Sequence, residues 1–144
     1  MFRQPEHYPV PIDGTTPKRL KMKLAVIGSR TFTNKVLLEK TLARVKTPIS
    51  LLISGGAIGA DTLAKEWAEE NGIPTKIYKP DYDKYGKRAP LERNTIIVEA
   101  ADCVLVFHDG KSNGTLDALR KAERLGRQTY KVMFSPEPIA SRLK

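Results

Sequence analysis

Cysteine occurs once in this chain, at Cys103, and histidine twice, at His7 and His108. A lone thiol excludes a disulfide framework, and its place in an apolar run reads as a small buried hydrophobe in a reducing interior. No Cys/His spacing of a metal site is present. Nor is there a Gly-x-Ser-x-Gly nucleophile turn, a Gly-Lys-Ser/Thr closing a Walker loop, or a Gly-x-Gly-x-x-Gly after a strand. No apolar run approaches the about 20 residues of a membrane helix. Met1-Phe2-Arg3-Gln4-Pro5-Glu6 lacks the apolar core of a signal peptide. The expectation is a cytoplasmic protein with no membrane contact, no metal and no cofactor.

Positive charge is what the chain has in excess. Lys and Arg number 25 against 16 Asp and Glu, a net charge of +9. That favours an anionic partner without choosing between a nucleotide and a nucleic acid, and it also serves solubility. The length of 144 residues suits one domain with a real core.

Residues 1–22 hold Pro5, Pro9, Pro11 and Pro17 with no apolar periodicity, so they read as an extended arm. The domain proper is expected over 23–134 and a tail over 135–144. Strands are expected at about 23–28, 50–54, 75–78, 103–107 and 129–134. Helical spacing marks about 33–46, 61–71, 90–101 and 115–125. Pro80–Arg88 reads as a polar loop. Strictly alternating strands and helices predict an α/β fold, a Rossmann-like three-layer sandwich whose parallel five-stranded sheet runs 3-2-1-4-5, with helices on both faces.

Three apolar runs end in small-residue turns that open helices: Gly28-Ser29-Arg30, Ser54-Gly55-Gly56-Ala57-Ile58-Gly59-Ala60-Asp61, and Asp109-Gly110-Lys111-Ser112-Asn113-Gly114-Thr115. Such turns let a ligand approach the backbone, and helix starts offer free N–H groups and positive dipole to an anion. In the predicted strand order the first and third turns flank the switch point where open α/β sheets bind ligands. Each turn also has a purely structural reading. The glycines at 54–59 would admit close helix packing, Asp61 would cap its helix or accept a ribose hydroxyl, and Ser112 or Asn113 would be an N-cap. Arg30 and Arg93 offer guanidinium forks for phosphate, and Asn94 an amide for a base or ribose edge. Trp67 fits the core face of its helix, which leaves Tyr82 and Tyr85 as stacking candidates. Arg120, Arg124 and Arg127 form a basic stripe that reads first as a solvated face and second as a nucleic-acid contact.

The motifs Gly28-Ser29-Arg30, Ser54-Gly55-Gly56-Ala57…Gly59-Ala60-Asp61, Arg93-Asn94 and Phe107…Asp109-Gly110…Ser112…Gly114-Thr115 resemble the YspA-type (YpsA-related) branch of the SLOG superfamily, over about residues 23–134. The resemblance implies a Rossmann-like domain that binds nucleotides or nucleotide-derived ligands, as a signal sensor or processor, often in phage and conflict-related systems. Two relatives frame the alternatives. The lysine decarboxylase-like phosphoribohydrolases carry a Pro-Gly-Gly-x-Gly-Thr-x-x-Glu motif. Setting its Gly-Thr on Gly114-Thr115 puts Ala118 at the catalytic glutamate and Asp117 one residue early, roughly 100° around the helix. Lys111 and Ser112 replace the two glycines, while Arg93 matches their arginine. If this chain hydrolyses an N-glycosidic bond, the catalytic candidates are Arg93, Asp61 and Asp117. The other relative is the DNA-processing protein DprA, which binds single-stranded DNA. The expected partner is therefore a nucleotide-derived small molecule first and nucleic acid second, with self-association left open.

Overall fold

Successive residues of a strand face opposite sides of its sheet, and here both sides are apolar, as helices on both faces require. The computed structural model describes residues 21–45 and 47–135. The expected arm up to residue 20 and the expected tail from residue 136 lie outside the described residues. Among these, β1 (Met22–Gly28), β2 (Ile49–Ser54), β3 (Thr75–Ile77), β4 (Cys103–His108) and β5 (Gln128–Met133) form one sheet. Its order is β3-β2-β1-β4-β5, with every pairing parallel, as the strand–helix alternation predicts.

The helices are α1 (Lys35–Ala43), α2 (Ala60–Glu70), α3 (Tyr82–Tyr85), α4 (Ala89–Ala100) and α5 (Asn113–Arg124). Strand parity sorts the core. Leu24 and Val26 of β1, with Leu105 and Phe107 of β4, meet Leu38 and Leu42 of α1 and Ala60, Ala64 and Ala68 of α2. The alternate residues Ala25, Ile27, Val104 and Val106 meet Ile97 and Val98 of α4 and Ala118, Leu119 and Ala122 of α5. Trp67 packs half-buried against the first cluster. Cys103 is buried, and burial pushes its thiol up to about 12, so it is an inert hydrophobe.

Two sequence expectations need correction. The polar loop Pro80–Arg88 contains α3 and a 3-10 turn at Gly86–Arg88. Asp81 caps α3 by accepting from the Lys84 N–H at 3.1 Å; the turn is too short for periodicity to reveal it. The basic stripe on the last helix also shrinks. α5 ends at Arg124, Gly126 takes a left-handed φ of +71°, and Arg127 turns back. Its guanidinium donates to the Val98 and Glu99 carbonyls at the end of α4, at 3.1 and 3.0 Å. Arg127 is a clasp between helices, which leaves Arg120 and Arg124 exposed on α5. Among the described residues no helix is long and apolar enough to cross a membrane.

From β1 the chain moves outward to β2 and β3, then returns to lay β4 on the opposite side of β1. The carboxyl ends of β1 and β4 therefore flank a switch point, with the end of β2 beside it.

Candidate functional site

The turns after β1, β2 and β4 interlock above the sheet. The Ser29 N–H donates to Phe107 O at 3.1 Å, and the Asp109 N–H donates to Ser29 Oγ at 3.3 Å, tying the first turn to the third. Gly59, at φ +90°, seats the second turn on the first: a methyl group there would stand 2.5 Å from Ser29 O. The three turns and the start of α4 enclose a cleft of about 410 Å³.

Most of the residues singled out in the sequence meet in this cleft. The first turn contributes Gly28, Ser29 and Arg30, and the second Ala57 and Asp61. α4 contributes Arg93 and Asn94, and the third turn with α5 contributes Asp109, Ser112, Gly114 and Thr115. Ser54, Gly55, Gly56, Gly59 and Gly110 do not line it. Ile27, Thr31, Pro90, Leu91 and Ile97 do, and sequence reasoning passed over them. A signal existed for two of them: Pro90 and Ile97 share one helical face with Asn94, at spacings of four and three.

Hydrogen bonding redistributes the expected roles. The turn at 54–59 is not an open nest of N–H groups, because Asp61 already fills it. Asp61 Oδ2 accepts from Gly55 N at 3.1 Å and Ala57 N at 3.3 Å, and Gly56 N donates to Ser54 Oγ. Gly59, not Asp61, is the N-cap of α2. A methyl group at Gly55 would come within 2.5 Å of Arg93 Nη1 and 3.0 Å of Asp61 Oδ2, so the Arg93 side chain would have to shift. Asn94 is buried with both amide ends engaged. Its Oδ1 accepts from Arg93 Nε at 3.2 Å, while Nδ2 donates to Gly114 O at 3.2 Å and Asp117 Oδ2 at 3.4 Å. It positions α4 against α5 instead of reading a base. Asp117 does not line the cleft, and it pairs with Lys121 at 3.0 Å. Ala118 is fully buried in the second core cluster.

Besides the exposed Arg30, the start of α5 and Arg93 remain open to the cleft. Ser112 caps α5, accepting from the Thr115 N–H at 3.3 Å and the Thr115 hydroxyl at 3.0 Å. The N–H groups of Asn113 and Gly114, in the first helical turn, have no intrahelical acceptor. Gly114 has a negative φ, and nothing lies within 4 Å of where its Cβ would be. The fold does not demand glycine there, yet the missing side chain leaves the helix start open. Arg93 Nη1 is anchored on Gly55 O at 2.9 Å. Burial pulls the guanidinium pKa down, and the Asp61 carboxylate opposes that. Tyr82 is exposed near Arg93, and Lys84 lies 5.2 Å over the Tyr85 ring; neither tyrosine lines the cleft.

The two cleft carboxylates differ. Hydrogen bonds from the Lys111 and Ser112 N–H groups, at 2.8 and 2.9 Å, hold the Asp109 carboxyl below its usual range. Burial pushes Asp61 up to about 6, against the pull of the Ala57, Gly55 and Gly28 N–H groups and of Arg93. A carboxyl whose pKa is raised on folding stabilises the protein below its unfolded pKa, and that stability is lost as pH rises through the folded value. Wild type should therefore lose stability between about pH 4 and 6 through this group, on the order of 2–3 kcal/mol. Asp61→Asn lacks the slope. Urea unfolding of both proteins at pH 4.5, 6 and 7.5 checks this: the stability difference should grow in favour of the variant as pH rises, and a constant difference refutes it.

Comparison with known proteins agrees with this architecture. A family model described as "YspA, cpYpsA-related SLOG family" matches residues 22–85. The Gene 61 protein of Mycobacterium phage D29 is 32% identical over 113 residues, covering 72% of this chain and 90% of that protein. Among solved structures, DNA processing protein A (DprA) of Streptococcus pneumoniae superposes with a TM-score of 0.62 at 24% identity, over 85% of this chain. The present chain spans about half of that one, 53%. DprA of Helicobacter pylori, solved to describe its single-stranded DNA binding mode, gives a TM-score of 0.57 at 21% identity. It covers 96% of this chain and 80% of that one. The two structures share the fold; the phage relative and the matched motif region carry the lineage, and the chain belongs to the YspA, cpYpsA-related SLOG family.

Proposed function

We propose that this chain binds a nucleotide or nucleotide-derived ligand in the cleft at the switch point. The observation that carries the reading is the mixed lining: Arg30, Arg93 and the open start of α5 at Gly114 on one hand, Asp61 and Asp109 on the other. Guanidinium and helix N–H groups suit phosphate, and carboxylates suit sugar or base donors. Ser29, Ser112 and Thr115 complete the polar wall, while Ile27, Leu91 and Ile97 give apolar surface for a ring. Binding is favoured over N-glycosidic hydrolysis because Ala118 is buried in the core and Asp117 is paired with Lys121. That leaves Asp61 and Arg93 as the catalytic candidates at the cleft.

Thermal unfolding against a panel of nucleoside mono-, di- and triphosphates tests the proposal. Stabilisation should grow with concentration, reaching about 2.7 kcal/mol at a hundredfold excess over Kd. The same mixtures, assayed for free base, should show no release at ordinary enzyme rates of about 1 per second. Absence of any stabilisation defeats the reading.

A second reading, single-stranded DNA binding, draws on the structural likeness to the Helicobacter pylori protein and on the +9 charge. With Arg127 withdrawn as a clasp, α5 offers only Arg120 and Arg124 as exposed arginines and no aromatic among them. Oligonucleotide affinity is therefore expected to collapse between about 50 and 200 mM salt, as counterion release dictates for non-specific binding. A complex that resists this salt range would move the DNA reading to first place.

A further inference from the structure

A buried carboxylate ordinarily takes the nearest cation as partner, and Asp61 does not. Asp61 and Arg93 both crowd Gly55: a methyl group there would stand 2.5 Å from Arg93 Nη1 and 3.0 Å from Asp61 Oδ2. Yet they form no ion pair. Arg93 donates instead through Nη1 to Gly55 O at 2.9 Å and through Nε to Asn94 Oδ1 at 3.2 Å, and among the described residues Nη2 has no hydrogen-bond partner. Asp61 Oδ2 is held by the Gly55 and Ala57 N–H groups. The Gly28 N–H also pulls on the carboxylate without completing a hydrogen bond, and Oδ1 is left buried with no partner.

Both residues line the cleft, and a ligand group reaches the buried Oδ1 by entering between them. A hydroxyl is the neutral group that matches it, since it donates one hydrogen and accepts on its lone pairs at once. Phosphate in this gap would set negative charge against Asp61, which leaves the phosphate to Arg30 and the start of α5 and frees Arg93 for the sugar. Asp109, the other carboxylate of the cleft, is already engaged. Its Oδ1 takes Lys111 N and Ser112 N, and its Oδ2 takes the Thr31 hydroxyl at 3.3 Å.

We propose that Asp61 and Arg93 select the sugar: a free 2′- or 3′-hydroxyl donates to Asp61 Oδ1 and accepts from Arg93 Nη2, which makes the ligand a nucleotide with that hydroxyl free. The inference rests on the nucleotide reading and narrows it. It also separates the two readings above, because an internal nucleotide of a DNA strand offers neither a 2′- nor a free 3′-hydroxyl.

Calorimetric titration of the full chain tests it. The probes are the 5′-monophosphates of adenosine, guanosine, cytidine and uridine, each with its 2′-deoxy and 3′-deoxy forms. For whichever base binds, losing one of the two hydroxyls should weaken binding about tenfold or more, the loss expected for a hydrogen bond to a charged group. Which deoxy form suffers identifies the hydroxyl. In Asp61→Asn the preference should shrink to about twofold or less, since an amide cannot replace a charge-assisted acceptor. Should that variant fail to fold, Arg93→Gln reads the same preference from the other side of the hydroxyl. Equal affinity for ribo, 2′-deoxy and 3′-deoxy forms overturns sugar selection while leaving nucleotide binding intact. A preference retained at full strength in Asp61→Asn overturns the role of Asp61. Failure of every nucleotide to bind overturns the underlying reading itself.

Discussion

Gly114→Asp is expected to abolish nucleotide-induced stabilisation while leaving the unliganded protein at least as stable as wild type. The residue lies in the first turn of α5, has an ordinary negative φ, and would place its new side chain where nothing lies within 4 Å. Neither strain nor clash is introduced. An acidic side chain in a first helical turn is itself favourable, by about 0.3–1 kcal/mol, and α5 carries no other there. The Ser112 cap and the Asn94 bond to the Gly114 carbonyl involve groups that the substitution leaves in place. What changes is the charge at the open helix start, where a carboxylate would face the ligand phosphate at close range. The stabilisation of about 2.7 kcal/mol at a hundredfold excess over Kd should fall to nearly zero. Thermal unfolding with and without ligand, with far-ultraviolet dichroism as the control for fold, reads both halves. An unchanged shift would remove α5 from the binding site.

Gly59→Ala should cost about 3 kcal/mol of stability and weaken ligand binding together. Gly59 sits at φ +90° and ψ −134°, a conformation that side chains rarely adopt. Its methyl group would meet Ser29 O at 2.5 Å and Arg30 Cα at 3.0 Å. Those are backbone atoms of the first turn, so relief requires moving the wall that carries Ser29 and Arg30. Gly72→Ala separates the two causes. That glycine also has a left-handed φ, +70°, but faces open space, and its substitution should cost only about 1–2 kcal/mol with no effect on binding. Urea denaturation of both variants makes the comparison. Equal costs would mean that the contact between the turns after β1 and β2 carries no energy.

The fold was open to reading because its causes are local. Apolar runs of strand length, helical spacing between them and glycine or proline at their ends leave few topologies for a chain of this size. Where local signals thin out, the reading faltered. α3 is a single turn held by Asp81, too short to show a period. Arg127 lies past the helix end expected at 125, but its three-residue spacing from Arg124 put it in the stripe, and only its bonds to the Val98 and Glu99 carbonyls show where it goes.

The sequence by itself determined that three small-residue turns would gather at the switch point of a parallel sheet, since strand order follows from connectivity and the turns follow their strands. Only the tertiary structure decided which members of those turns line the cleft. The turn at 54–59 resembles a phosphate loop in one dimension, but Asp61 takes the Gly55 and Ala57 N–H groups and Ser54 Oγ takes that of Gly56. Asn94 resembles a base reader until Arg93, Gly114 and Asp117 are found around its amide. A residue type states which hydrogen bonds a side chain can make. Whether those bonds are already made depends on partners that a linear reading does not pair: Asp61 reaches back only four to six positions, while Asn94 and Arg93 find theirs 20 to 38 positions away, once the helices pack.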